Sequence, residues 1–164
     1  MMRFGSDLLA ALTASGWSAA RSVDPGQWVE PLLREGHRLH PLAEEVITSF
    51  GGLSIPPVNE HGPNFSNHEP FSVDPLAAGA GQLTLVAEVE RVLGGQYFPI
   101  AEWLSYSSVF LDAGGRVIAA GMGWFWELGT SFEQALELAV LANRPLICRY
   151  SDPGVDPWPP DSAG

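Results

Sequence analysis

The sequence contains no lysine and a single cysteine, Cys148, among its 164 residues. Without lysine, the chain cannot supply the lysine that binds phosphate in a P-loop nucleotide site. One cysteine cannot form a disulfide within the chain, and the apolar neighbours of Cys148 predict a small core residue. The chain therefore lacks the residues for a P-loop and for an internal disulfide.

Long apolar runs are also missing. No stretch reaches the roughly 18 consecutive apolar residues that identify a membrane-spanning helix. The N-terminal apolar residues follow helical spacing and Asp7 lies among them, which indicates a helix rather than a signal peptide. We therefore expect a cytoplasmic protein that does not interact with membranes.

Basic residues are scarce, with eight arginines against 19 acidic residues and a net charge of -11. Phosphate repels an acidic surface, so we expect no binding to nucleic acid. The same imbalance favours a soluble protein, or one that attracts a basic partner through long-range electrostatics.

The order of predicted elements indicates an α+β fold. Helical spacing predicts N-terminal helices, the first capped by Ser6, before a loop rich in proline and glycine. Alternating stretches around the turn at 112–115 predict strands, and Ser131 caps a last helix. We expect one domain over residues 1–150, with a mostly antiparallel sheet of about five to six short strands packed against the N-terminal helices and the C-terminal helix. Proline and aspartate dominate residues 151–164, which predicts a disordered tail.

Catalytic motifs are missing as well. There is no G-x-S-x-G nucleophile motif. His61 and His68, with Glu60 and Glu69 beside them, do not have regular zinc-site spacing. A solvated surface loop is the favoured interpretation, and a small hydrolase around His61, His68 and Glu69 is an alternative. We therefore expect no enzyme, no cofactor and no metal.

Aromatic residues concentrate in the stretch GMGWFWELG, residues 121–129. Strand alternation places Trp124 and Trp126 on one face and Phe125 and Glu127 on the other, so one face meets the helices and the other is exposed. The two tryptophans, like Trp103 beside Glu102, fit either the core or a partner-binding surface. The candidate partner-binding residues are acids, histidines and tryptophans: Glu60, His61, His68, Glu69, Glu102, Trp103, Trp124, Trp126 and Glu127.

Several short motifs occur in a specific order. They are Gly16-Trp17, His40-Pro41, Phe50-Gly51-Gly52-Leu53, the segment from Phe71 to Pro75, Phe98-Pro99-Ile100, the hairpin at 111–117 and the helix start at 129–136. With this order and spacing, the sequence from about Leu8 to Arg149 resembles the SUKH superfamily, specifically its third subfamily of bacterial immunity proteins.

The resemblance implies an α+β fold and a protein that binds and neutralises a cognate toxin of nuclease or deaminase type, with no catalysis of its own. A non-catalytic regulatory or interaction module of the same fold, with a partner that is not a toxin, is the alternative. The segment Phe50-Gly51-Gly52-Leu53 then predicts a structural corner, with Phe50 and Leu53 packed inward. The oligomeric state is left open.

Overall fold

The fold is a seven-stranded antiparallel sheet with helices on both faces, described by a computed structural model over residues 2–160. The strands lie in the sheet in the same order as in the chain, so each strand pairs with the next one. The elements are α1 (Ser6–Ala14), α2 (Gly26–Glu35), α3 (Pro41–Phe50), β1 (Ser54–Ile55), β2 (Phe71–Ser72), α4 (Pro75–Gly79), α5 (Leu83–Leu93), β3 (Tyr97–Trp103), β4 (Ser107–Asp112), β5 (Val117–Ala120), β6 (Trp124–Gly129), α6 (Phe132–Leu141) and β7 (Ile147–Ser151).

The predicted α+β class and antiparallel sheet are confirmed, while the strand count of the described residues is slightly higher than expected. Seven strands are present where about five to six are predicted from alternation. The first two strands contain only two residues each. Strands of this length show almost no alternation, and their pairing in the sheet defines them.

The central strands are buried on both faces. On β4, Val109 and Leu111 belong to the larger apolar core, whereas Phe110 belongs to a smaller one. The larger core packs under α1, α2, α3 and α6, and the smaller core packs under α5. The expectation that one face of β6 is exposed is therefore wrong, because Phe125 packs in the smaller core and stacks on Tyr150.

Side chains cap the starts of three helices: His40 caps α3, Asp74 caps α4 and Ser131 caps α6 as predicted. Both nitrogens of the His40 ring form hydrogen bonds: Nδ1 accepts from the Ala43 N–H, and Nε2 donates to the carbonyl oxygen of Leu111 on β4 at 2.8 Å. This ring joins the start of α3 to the sheet. The prediction that Ser6 caps α1 is wrong, since Gly5 occupies the cap position and no side chain caps it.

The predicted corner at residues 50–53 is confirmed. Phe50 is fully buried at the end of α3, and Leu53 is buried beside it. Gly52 has φ +86° and donates its N–H to the carbonyl oxygen of Val73, next to the first strands. A positive φ of this kind suits glycine, which has no Cβ to clash with its own backbone. The corner thus turns the chain from helix to sheet.

The segment after β7 differs from the predicted disordered tail up to residue 160. Ser151 is the last residue of β7, and Trp158 contacts the rings of Trp124 and Trp126. These ring contacts, together with hydrogen bonds from the Trp124 and Trp126 indoles to the carbonyls of Asp156 and Trp158, join the segment to β6. Residues 161–164 of the predicted tail lie outside the described residues.

No helix between residues 2 and 160 is both long enough and apolar enough to cross a bilayer.

Candidate partner-binding surface

One end of the sheet collects two turns and most of the candidate residues. Because the strands alternate in direction, the turn 104–106 between β3 and β4 lies at the same end as the turn 121–123 between β5 and β6. The start of β2 and the end of β7 reach this end too, since Ser72 pairs with Glu102 and Trp124 pairs with Ser151. We call it the hairpin end; it comprises Glu69, Glu102, Trp103, residues 104–106, residues 121–123, Trp124, Trp126 and residues 152–158.

The turn at 104–106 has an unusual backbone. Leu104, Ser105 and Tyr106 have φ values of 44°, 57° and 58°, three consecutive left-handed residues without a glycine. Such residues each cost on the order of 1–2 kcal/mol and concentrate at functional sites. The Glu69 carboxylate accepts the Ser105 N–H at 2.5 Å and helps to hold the turn. The turn presents the Tyr106 ring to solvent, with 76% of the residue exposed.

An acidic pocket lies on one side of this turn. Glu69, Glu102, Trp103 and Tyr106 line a cavity of about 90 Å³. Burial raises the pKa of the Glu102 carboxyl, and the nearby charges of Asp74 and Glu69 raise it further. None of the ion pairs among residues 2–160 involves these three acids. The pocket therefore holds negative charge that no cation of the described chain neutralises.

Trp103 belongs to the core rather than to an exposed surface. It is 1% exposed, and its ring packs edge-to-face on Phe65 with centroids 5.8 Å apart. Its indole N–H nevertheless has no hydrogen-bond partner in the part of the chain that the structure describes. A buried donor left in this state costs roughly 1–3 kcal/mol. Trp103 therefore lines the acidic pocket as a buried core residue.

An apolar pocket of about 180 Å³ lies on the other side of the turn. Trp126 is 2% exposed, whereas Trp124 is half-buried, and their rings stack with centroids 5.7 Å apart. The pair thus combines the two sequence-based alternatives, because Trp126 is a core residue and Trp124 reaches the surface. Leu104, Ser105, Met122, Trp124, Trp126 and Trp158 line the pocket.

Glu127 lies apart from the hairpin end, in the second half of β6. Its carboxylate accepts from Arg116 Nε at 2.6 Å and from an Arg149 guanidinium nitrogen at 2.9 Å. Burial opposes the charge of Glu127, but the hydrogen bonds from Arg149 and Arg116 outweigh it and lower the pKa of this carboxyl. Its negative charge is thus neutralised within the fold.

The remaining candidates, Glu60, His61 and His68, are exposed in the loop between β1 and β2. The loop is held by its own contacts, because His61 Nδ1 lies 3.2 Å from Ser66 Oγ and the Glu60 carbonyl accepts the Asn67 N–H. Among residues 2–160, no group of three or more histidine, cysteine or acidic side chains is arranged to hold a metal.

The structure thus brings five of the nine candidates to the hairpin end: Glu69, Glu102, Trp103, Trp124 and Trp126. It also adds residues that the sequence did not single out. Tyr106 lies in a polar turn, Met122 in a glycine turn and Trp158 in a proline-rich segment. Single apolar residues on a surface are common, so only their meeting in the folded structure singles these three out.

The hairpin end combines an apolar pocket with an exposed tyrosine, and aromatic anchors in pockets carry much of the binding energy at protein interfaces. The chain matches the family model described as SUKH-3 immunity protein over residues 4–141, and it belongs to that family. No curated protein and no solved structure matches the chain significantly.

Proposed function

We propose that this protein binds a cognate bacterial toxin in the cytoplasm and neutralises it by direct contact, without catalysis. Membership of the SUKH-3 immunity protein family supports the immunity role. Direct contact through the hairpin end is the mode of action that the surface features support best.

The observation that carries this proposal is the uncompensated charge of the acidic pocket. Glu102 is partly buried beside Asp74 and Glu69, and the ion pairs of the described residues leave all three acids without a cation. Such an arrangement weakens folding, and proteins commonly retain destabilising groups where function needs them. A guanidinium or ammonium group from a partner would relieve the repulsion, and the exposed Tyr106 ring offers it a cation–π contact.

The charge of the whole chain supports a toxin of nuclease or deaminase type. An enzyme that acts on nucleic acid needs a basic surface for phosphate. A protein with a net charge of -11 attracts such a surface from a distance and speeds association. Binding there would cover the toxin's substrate groove, which blocks activity without any chemical step by the immunity protein.

The test is co-expression with the C-terminal domain of a large secreted protein encoded next to this chain. We expect growth to be rescued, and the two proteins to purify as a complex. A folded, well-expressed protein that neither rescues growth nor binds would contradict the proposal and favour a regulatory module with another partner.

A charge-swap pair then tests the surface. Glu102→Arg should slow association with the toxin and reduce its dependence on salt. Glu45→Arg is the matched control, because Glu45 is exposed on α3 and the substitution changes the net charge equally. Identical association kinetics for the two variants would refute the electrostatic part of the proposal.

A further inference from the structure

The segment 152–158, which follows β7, builds part of the apolar pocket. Trp158 lies 6.0 Å from Trp124 and 5.6 Å from Trp126, measured between ring centroids. The indole N–H of Trp124 donates to the carbonyl of Asp156 at 2.8 Å, and that of Trp126 donates to the carbonyl of Trp158 at 2.7 Å. The segment thus supplies one wall of the pocket and the acceptors for two indole donors.

This segment lies beyond the part of the chain that matches the family. The match ends at residue 141 and therefore includes Trp124 and Trp126 but not Trp158. The pocket joins two tryptophans inside the matched range to a third beyond its end. Function resides in the side chains of a site rather than in the fold itself, so the side chains of this wall are suited to partner selectivity.

The pocket has the size and lining for one bulky apolar side chain. Its volume is about 180 Å³, and an engineered apolar cavity of about 150 Å³ takes up benzene. Met122 is 47% exposed, and its flexible thioether can adapt to the shape of a bound group. Anchors seated in pockets of this kind dominate the energy of many protein interfaces.

Acidic groups lie on both sides of the pocket. Ser105, which lines it, donates its N–H to Glu69, and the exposed Asp156 is carried by the segment that forms the opposite wall. No arginine is among the residues that line the pocket in the described chain. These charges complement a partner whose apolar anchor has basic residues beside it.

We infer that Trp158 completes a pocket for one bulky apolar side chain of the toxin, flanked by arginine or lysine, and that this segment helps to determine which toxin is bound. The inference rests on the proposed function, because it takes the toxin as the partner. It makes residues 152–158 a specificity-determining element of this family member.

The test is calorimetric titration of the toxin domain identified by co-expression with the full chain and with single variants. Trp158→Ala opens the pocket, and Met122→Asp places a charge at its exposed mouth. Trp158→Phe and Met122→Leu are the conservative counterparts. Trp28→Ala is the control for loss of a half-buried tryptophan elsewhere, since Trp28 contacts the corner at Gly51.

We expect Trp158→Ala and Met122→Asp to weaken toxin binding by about tenfold or more, and the conservative variants and Trp28→Ala to stay within about threefold. Circular dichroism verifies that each variant is folded at the titration temperature. If Trp158→Ala does not fold, Met122→Asp decides, because Met122 is exposed.

The possible failures are distinguishable. Wild-type affinity in both Trp158→Ala and Met122→Asp would overturn the pocket inference while leaving toxin binding intact. Absence of binding by the wild-type chain itself would contradict the proposed function, and the inference would fall with it.

Discussion

Replacing Glu127 with glutamine should destabilise the protein, because it removes the charge that two arginines share. Arg116 precedes β5 and Arg149 lies on β7, so the carboxylate on β6 links neighbouring strands through bonds of 2.6 and 2.9 Å. Glutamine has a similar size and keeps one acceptor oxygen. The substitution therefore changes the charge while preserving the packing.

The size of the effect follows from the exposure of the three groups. The Glu127 side chain is 11% exposed, and the arginine side chains are 29% and 37% exposed. A hydrogen bond to a charged group contributes about 1.5–3 kcal/mol when buried, whereas an exposed ion pair contributes about 0–1 kcal/mol. Because the carboxylate is mostly buried and the arginines are partly exposed, we expect a loss of about 2 kcal/mol, in the lower half of the buried range, which lowers Tm by about 4–8 °C for a chain of this size.

The dependence on pH checks the cause. The folded-state pKa of Glu127 is lowered, so its stabilising contribution is present at neutral pH and disappears as the pH falls through that pKa. The difference in Tm between wild type and Glu127→Gln should therefore be large at pH 7 and should narrow below about pH 4. Differential scanning calorimetry at several pH values measures both quantities.

Glu102→Gln is the matched comparison, because its pKa is shifted in the opposite direction. A raised folded-state pKa means that stability is lost as the pH rises through it, since the folded protein disfavours the charged form. At pH 7 this variant should be as stable as wild type or slightly more stable. A Tm decrease of similar size for both variants, or one that does not change with pH for Glu127→Gln, would refute the reasoning.

Three further variants test the corner, the strained turn and the cap. Gly51→Ala should destabilise the protein by about 1–3 kcal/mol in urea unfolding, because the added Cβ lies 2.6 Å from the carbonyl oxygen of Ile47 and the same distance from the Trp28 ring. Tyr106→Ala should leave Tm unchanged but weaken toxin binding, since the ring is exposed; a fall in Tm with intact binding would contradict this. His40→Ala should lower the free energy of unfolding by about 2–3 kcal/mol, because a helix cap and a buried hydrogen bond are lost together; a loss below about 0.5 kcal/mol would show that water replaces the ring.

Local patterns determined much of the fold in advance. The spacing of apolar residues predicted the N-terminal helices, and Ser131 identified the start of α6, because each signal depends on residues within a few positions. The glycines after Phe50 indicated the corner for the same reason. The order of these elements also carried the family resemblance, which the match over residues 4–141 confirms.

Only some residues of the candidate surface could be predicted from the sequence. From residue type alone, Glu102 and Glu127 were equally good candidates for binding a partner. In the structure, two arginines neutralise Glu127, while Asp74 and Glu69 lie near Glu102. The tryptophan stretch on β6 was ambiguous as well, because alternation assigns residues to faces but does not reveal what covers each face.

The sequence by itself determined the class of fold, most helix and strand positions and the sign of the protein's charge. Only the tertiary structure decided which acids lack a counter-ion and which tryptophan is core. It also decided that Trp158 contacts Trp126 on β6, 32 residues earlier in the chain. The physical reason is the separation along the chain between the residues that interact. Helix caps and turns depend on neighbours in the chain, whereas burial and ion pairing depend on partners that the folded sheet brings together.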